Sequence, residues 1–282
     1  MTRPAVCSCK LFLTLFFIPL LLPTTGLNDP DHLSQLKKEL SSVVFLENPQ
    51  NLGFGPGLNK GIQYLRSQNC PDFFYILGSD ISVEKSALET CQKELEAHPD
   101  IGLLPSLMKD ANGELDLNVW KTNTYRDYLR RCFFFSERRL IRKSIASLGE
   151  IQTSDPFDCF YIRGSFMAVR LAALSSRDLF DPSIFLYEDD KAACVRIRGN
   201  GFRVCAFSGF TYQHLHDYSR QRKVKFRNPY LQFMKIYMKV SWIKRVVFSC
   251  CFGLGHFEKK CISSLARLKN HWKHNHQIKK GI

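Results

Sequence analysis

The chain has 282 residues, 45% apolar and 23% charged, with a formal net charge of +14. That length holds one large domain or a domain with appendages, and that balance excludes global disorder. The basic excess is concentrated at one end: residues 220–282 carry 16 Lys or Arg against one acid, Glu258, which calls for an anionic partner, either a membrane surface or a nucleic acid.

Eleven cysteines, an odd number with no C-x-x-C spacing, read as free thiols rather than a disulfide framework. At the N-terminus, Arg3 and Lys10 precede an apolar run from Leu11 to Leu22 that ends near Thr24-Thr25-Gly26. Two readings stand: a signal-peptide outline, or a buried parallel strand. The run is too short to span a bilayer, which needs about 20 residues.

From Asp31 the pattern becomes regular. Leu33, Leu36 and Leu40 predict an amphipathic helix, and Val43 to Leu46 a buried strand. A Gly- and Asn-rich turn, Glu47 to Gly61, leads into a helix through Leu65. A second apolar strand, Phe73 to Leu77, ends at Gly78-Ser79-Asp80. A helix over 84–97 and a strand from Ile101 to Leu104 follow. This alternation predicts an α/β fold with a mostly parallel sheet flanked by helices. Residues 125–143 are basic and aromatic, and regular structure resumes from Phe160 to Arg170 around Gly164-Ser165. A helix beginning at Asp189-Asp190 and ending at Gly199-Asn200-Gly201 precedes a strand carrying His214 and His216.

Four places carry chemistry. The glycine turn lets backbone N–H groups approach a phosphate or sugar, or is a plain structural turn. Asp80 ends an apolar strand, where α/β sheets gather ligands; it serves a divalent metal through oxygen, an N-cap, or both. Asp189 and Asp190 follow the apolar Phe185-Leu186-Tyr187, which suits a general base as well as a helix start. Glu188 is expected to be the exposed member of the three. His214 and His216 share one strand face and meet phosphate oxygens or a metal, or are structural.

In this order the pieces resemble the family 2 inverting glycosyltransferases of the GT-A fold, especially a rhamnosyltransferase-like bacterial branch. The family's N-x-G-F-x-x-G-x-N-x-G-I falls on Asn51, Gly53, Phe54, Gly57, Asn59, Gly61 and Ile62. Its apolar strand with a terminal metal-binding acid falls on Gly78-Ser79-Asp80, and its G-x-x-M on Gly164 to Met167. Its F-D-x-x-x-F-L-Y-x-E-D runs from Phe180 to Asp190. Arg196, Gly201 and Phe202 match a later R-x-x-x-x-G-[FY], His214 and Ser219 an H-x-x-x-x-S, and Arg227 and Asn228 a closing Arg-Asn pair. The matches cover residues 48–228.

The resemblance implies a nucleotide-sugar donor, UDP- or dTDP-linked, a divalent metal (Mg or Mn) held by Asp80, and inverting transfer to a hydroxyl of a polysaccharide or lipid-linked glycan precursor. It implies Asp190 or Asp189 as base, with Asp190 favoured. It also implies donor contacts from Asp31, Asn51, Gly53, Phe54, Gly57, Asn59, Gly164, His214 and His216. The chain departs from the pattern at Gly78 and Ala192, where further acids are common. The family's first strand and helix of the nucleotide-binding half have no counterpart, and Asp31 is the best remnant of its opening D-N-x-S-x-D turn. A non-catalytic relative that binds glycan or a partner is therefore the alternative.

The expected organisation is an apolar segment over 1–26, a core over 27–219 and a basic helical tail over 220–282. In the tail, Trp242, Val246, Val247, Phe248 and Phe252 interleave with Lys244 and Arg245, which suits the surface of an anionic membrane better than a nucleic acid. The expected place is the inner face of the cell membrane, or the secretory route if residues 1–26 act as an anchor.

Overall fold

The structure, a computed structural model, describes residues 21–23, 30–40, 43–46, 48, 50–68, 72–78, 80–116, 119–151, 155–162, 165–174, 178–215 and 227–279. The side chains of 21–23, 30–33, 36, 142, 148 and 266–279 lie outside that description. In chain order the elements are β1 (Leu21–Pro23), α1 (Pro30–Glu39), β2 (Val44–Leu46), α2 (Phe54–Ser67), β3 (Phe73–Leu77), β4 (Ile81–Ser82), α3 (Lys85–Ala97), β5 (Ile101–Leu104), β6 (Ser106–Lys109), β7 (Leu115–Asp116) and β8 (Val119–Trp120). They continue with α4 (Tyr125–Cys132), α5 (Phe134–Ser144), α6 (Leu148–Ile151), β9 (Phe157–Asp158), β10 (Tyr161–Ile162), β11 (Phe166–Arg170), α7 (Asp189–Gly199), β12 (Arg203–His214), α8 (Arg227–Ile236) and α9 (Trp242–Lys279). The chain divides into two compact units, residues 1–122 with 145–229 and residues 123–144 with 230–282.

The first unit is built on a sheet of order β3-β11-β5-β12-β6-β7. Its central strands bury both faces, which is why their sequences run apolar without alternation. Met167 and Val169 of β11 and Val204 and Ala206 of β12 meet α2 (Ile62, Leu65) and α7 (Ala193, Cys194, Ile197). Phe166 and Ala168 of β11 and Cys205 and Phe207 of β12 point the other way, to α3 (Cys91, Leu95). The result is a sheet sandwiched between helices, the α/β class expected from the alternation.

The sheet is mixed, not mostly parallel. β12 runs parallel to β5 and β6, but β11 lies antiparallel to both β3 and β5 and separates them, and β7 is antiparallel to β6. A strand buried on both faces shows no periodicity that reveals its direction, so Phe166–Arg170 gave no warning of this reversal. The described end of the Leu11–Leu22 run forms β1, which pairs parallel with β2; residues 1–20 lie outside the described residues. The described cysteines are free thiols. Burial pushes Cys91, Cys132, Cys194 and Cys205 up to about 12, so these thiols are inert packing groups.

The second unit is helical. Thr124 and Asp127 form a capping box that starts α4. Tyr128 of α4 is fully buried against the rings of Tyr230, Phe233 and Phe248, at centroid distances of 5.1, 6.3 and 6.3 Å. Glu258 and Lys259 of α9 reach α5, accepting from Phe134 N at 3.1 Å and donating to Glu137 at 2.6 Å. The basic, aromatic segment after residue 125 is thus part of the same helical body as the C-terminal tail.

Candidate active site

The N-terminus of α2 is where this site is assembled. Asn51 Oδ1 accepts from Gly53 N at 3.0 Å, a local turn that starts the helix. Gly53 has φ +90°, and a Cβ there would lie 2.2 Å from the Phe185 carbonyl oxygen. Phe54 N donates to that same carbonyl at 3.0 Å. At the next residue, a Cβ at Gly55 would lie 2.6 Å from Phe180 Cβ. Asn59 is buried and clasps the Phe180 backbone from both sides, donating to its oxygen at 2.8 Å and accepting from its nitrogen at 3.1 Å.

The expected glycine loop is therefore a helix: Gly55, Gly57, Asn59 and Gly61 lie inside α2, and only Gly53 shapes a turn. Small residues let the Phe180–Phe185 segment lie against the helix. Replacing Gly53 by Ala is expected to destabilise the fold by about 2–3 kcal/mol, from backbone strain and overpacking. Urea unfolding checks this; an unchanged midpoint would mean that the Phe185 carbonyl moves aside.

The clamp sets the position of the acids. Beyond Phe185 the backbone passes through two left-handed residues, Tyr187 and Glu188, each at φ 65°, and α7 begins at Asp189. Such conformations persist only where surrounding packing enforces them. Glu188 is not the exposed member of the trio. It is 6% exposed and pairs with Lys191 at 2.5 Å, one helical turn on. Lys191 Nζ also lies 4.8 Å from the centre of the Tyr161 ring, which stacks on Trp120.

Asp189 is equally buried, and its Oδ2 has no hydrogen-bond partner among the described residues. Burial first, and then the charge of Asp190, push its carboxyl up from 3.8 to about 7. Asp190 is half-buried and accepts from Lys191 N at 2.8 Å. Two adjacent carboxyls thus stand in different surroundings, one dry and one reachable.

A second group lies where β3 and β12 end. Asp80 Oδ2 is 3.2 Å from His214 Nε2, and Leu215 N donates to the Asp80 carbonyl at 2.7 Å. Gly78 N donates to Ser165 O at 2.8 Å, and Ser165 Oγ and Tyr212 Oη share a hydrogen bond of 2.8 Å. α2 returns antiparallel to β3 and α7 antiparallel to β12, so the starts of both helices sit at this carboxyl end of the sheet.

Of the residues expected from the sequence, the structure brings Asn51, Gly53, Phe54, Gly57 and Asn59 to the start of α2, Asp189 and Asp190 to the start of α7, and Asp80 and His214 together. Asn59 and Gly53 are engaged by the protein's own Phe180–Phe185 segment. Asp31 falls in α1 with its side chain outside the described residues, as do Gly164 and His216 entirely. Sequence reasoning missed the Lys191–Glu188 pair, although its i,i+3 spacing was a readable signal. It also missed the Ser165–Tyr212 contact, which joins residues far apart in the chain and has none.

The fold is an α/β sandwich with Asp80 just past the edge strand β3 and Asp189 and Asp190 at the start of α7. The profile described as glycosyl transferase family 2 matches residues 28–167, close to half of the chain. The chain is similar to the crystal structure of GalNAc-T7 with UDP, GalNAc and Mn2+, with a TM-score of 0.55 at 12% identity over 79% of this chain and 43% of that one. It is also similar to S. aureus TarS 1-349, with a TM-score of 0.50 at 12% identity over 84% of this chain and 61% of that one. The chain thus spans less than two thirds of either protein. No curated protein matches it by sequence.

Asp80 offers a carboxylate oxygen suited to Mn2+ or Mg2+, and His214 an imidazole nitrogen suited to softer divalent ions. Asp80 is 41% exposed and open to a ligand. Among the described residues no group of three or more His, Cys, Asp and Glu is gathered.

Proposed function

We propose that the chain transfers a hexosyl group, with inversion, from a UDP- or dTDP-linked sugar to a hydroxyl of a polysaccharide or lipid-linked glycan precursor at the inner face of the cell membrane. The observation that carries this reading is the split environment of Asp189 and Asp190 at the start of α7. Burial and the charge of Asp190 raise the Asp189 carboxyl to about 7, while Asp190 is the more accessible of the two. Asp190 then takes the proton of the acceptor hydroxyl as its oxygen attacks the anomeric carbon from the face opposite the nucleotide. Asp80 and His214 would hold the divalent ion, which when bound supplies positive charge against the departing diphosphate.

Calorimetric titration of UDP and of dTDP, with and without Mn2+, tests the donor side. Binding is expected only with the ion, and His214→Ala should weaken it by about tenfold. Failure of every nucleotide to bind in either condition would remove the transfer reading and favour a relative that binds glycan or a partner protein without catalysis.

A further inference from the structure

The long helix α9 has two apolar faces, and only one is used within its own unit. Phe248 and Gly255 are buried and Phe252 is half-buried on the packed side. Trp242, Ile243, Val246, Val247, Leu254 and Phe257 are exposed, Trp242 and Phe257 at 67% and 69%. At 100° per residue these six fall in an arc of about 140° on the opposite side. Exposed Cys250, Cys261 and Leu265 extend the same arc. An apolar strip of this length is too large to be incidental scatter. Among the described residues no helix is long and apolar enough to cross a membrane.

The charges decide what covers the strip. α9 carries eight Lys or Arg against one acid, Glu258, and that acid already accepts from Phe134 N. A second copy would face like charge with like, without the opposite-sign flanks that hold paired helices together. At the start of the strip, Leu231, Trp242, Arg245, Val246, Ser249 and Cys250 line an open groove of about 470 Å3. Arg245 contributes its guanidinium there, and its buried Nε has no hydrogen-bond partner among the described residues. A cation beside apolar walls, on a helix with a surplus of basic residues, matches a phosphate joined to hydrocarbon chains.

We infer that α9 lies in the surface of an anionic lipid bilayer, with the Trp242–Phe257 strip against the acyl boundary and Arg245 on a lipid phosphate. Flotation of the full chain with vesicles tests this without nucleotide or metal, so its outcome is independent of the sugar-transfer reading. The chain is expected to float with phosphatidylcholine vesicles containing phosphatidylglycerol at least about tenfold better than with phosphatidylcholine alone. V246E with F257E should lower that partition by about tenfold or more, and R245Q by about fivefold. Circular dichroism confirms the helix in each variant, and the milder V246S with F257S pair must shift binding in the same direction.

Chain left unfloated by anionic vesicles, or variants that float as well as the parent, would overturn the inference. So would a salt-resistant dimer in sedimentation that the same variants dissolve, which would assign the strip to a second copy.

Discussion

Asp190→Asn is expected to lower turnover by about 10²–10⁴-fold with little change in the KM for donor, the loss assigned to a single general base. Asn keeps the shape of the side chain and the contact to Lys191 N on its oxygen, so the start of α7 should survive. Asp189→Asn has a different signature. Its parent carboxyl is raised from 3.8 to about 7 by burial and by Asp190. A carboxyl raised in the folded state favours folding while protonated, and that contribution is lost as pH rises from about 4 through about 7. The Asn variant cannot lose it. It should be more stable than the parent at pH 8, with the difference closing near pH 4, as read from urea midpoints at the two pH values. Parallel stability curves for variant and parent would sink the buried-proton account. Full turnover in Asp190→Asn with none in Asp189→Asn would exchange the two roles.

Lys191→Met is expected to cost about 3–5 kcal/mol of stability, because it leaves Glu188 charged, buried and next to Asp189. Glu188 and Lys191 are 6% and 3% exposed and 2.5 Å apart, so solvent screens little of their interaction. The double variant Glu188→Gln with Lys191→Met should regain much of that loss, since a neutral amide tolerates burial better than a carboxylate that has lost its ammonium partner. Urea unfolding of the parent, the two single variants and the double variant gives the coupling directly. A single-variant loss below about 1 kcal/mol would mean that the pair does not hold the α7 entrance.

Both predictions concern one short stretch, and its legibility was uneven. Phe180 to Asp190 was readable as a site because acids beside Phe-Leu-Tyr are costly to bury and therefore informative. The helix from Asp189 and its stop at Gly199-Asn200 were also readable from local pattern. Which acid is dry was not readable. Glu188 lies inside because Lys191 returns to it under the Tyr161 ring, a contact with β10 that no local rule supplies. The glycine motif misled for a related reason: Gly55 reads as a loop by propensity, yet α2 forms through it because close packing against Phe180 outweighs its helix penalty of about 1 kcal/mol.

Local chemistry was enough for the α/β class, the helices α3 and α7 and the strands β3 and β5, because apolar period, caps and acids at element ends are nearest-neighbour properties. Tertiary packing alone decided the antiparallel insertion of β11, the Asp80–His214 pairing and the different surroundings of the two aspartates. It also decided which apolar face of α9 is covered and which is left open. Those features depend on residues from tens to more than a hundred positions apart being brought within a few ångströms, as Asn59 and Phe180 are. Burial, which sets the charge state of a carboxyl, exists only once that has happened.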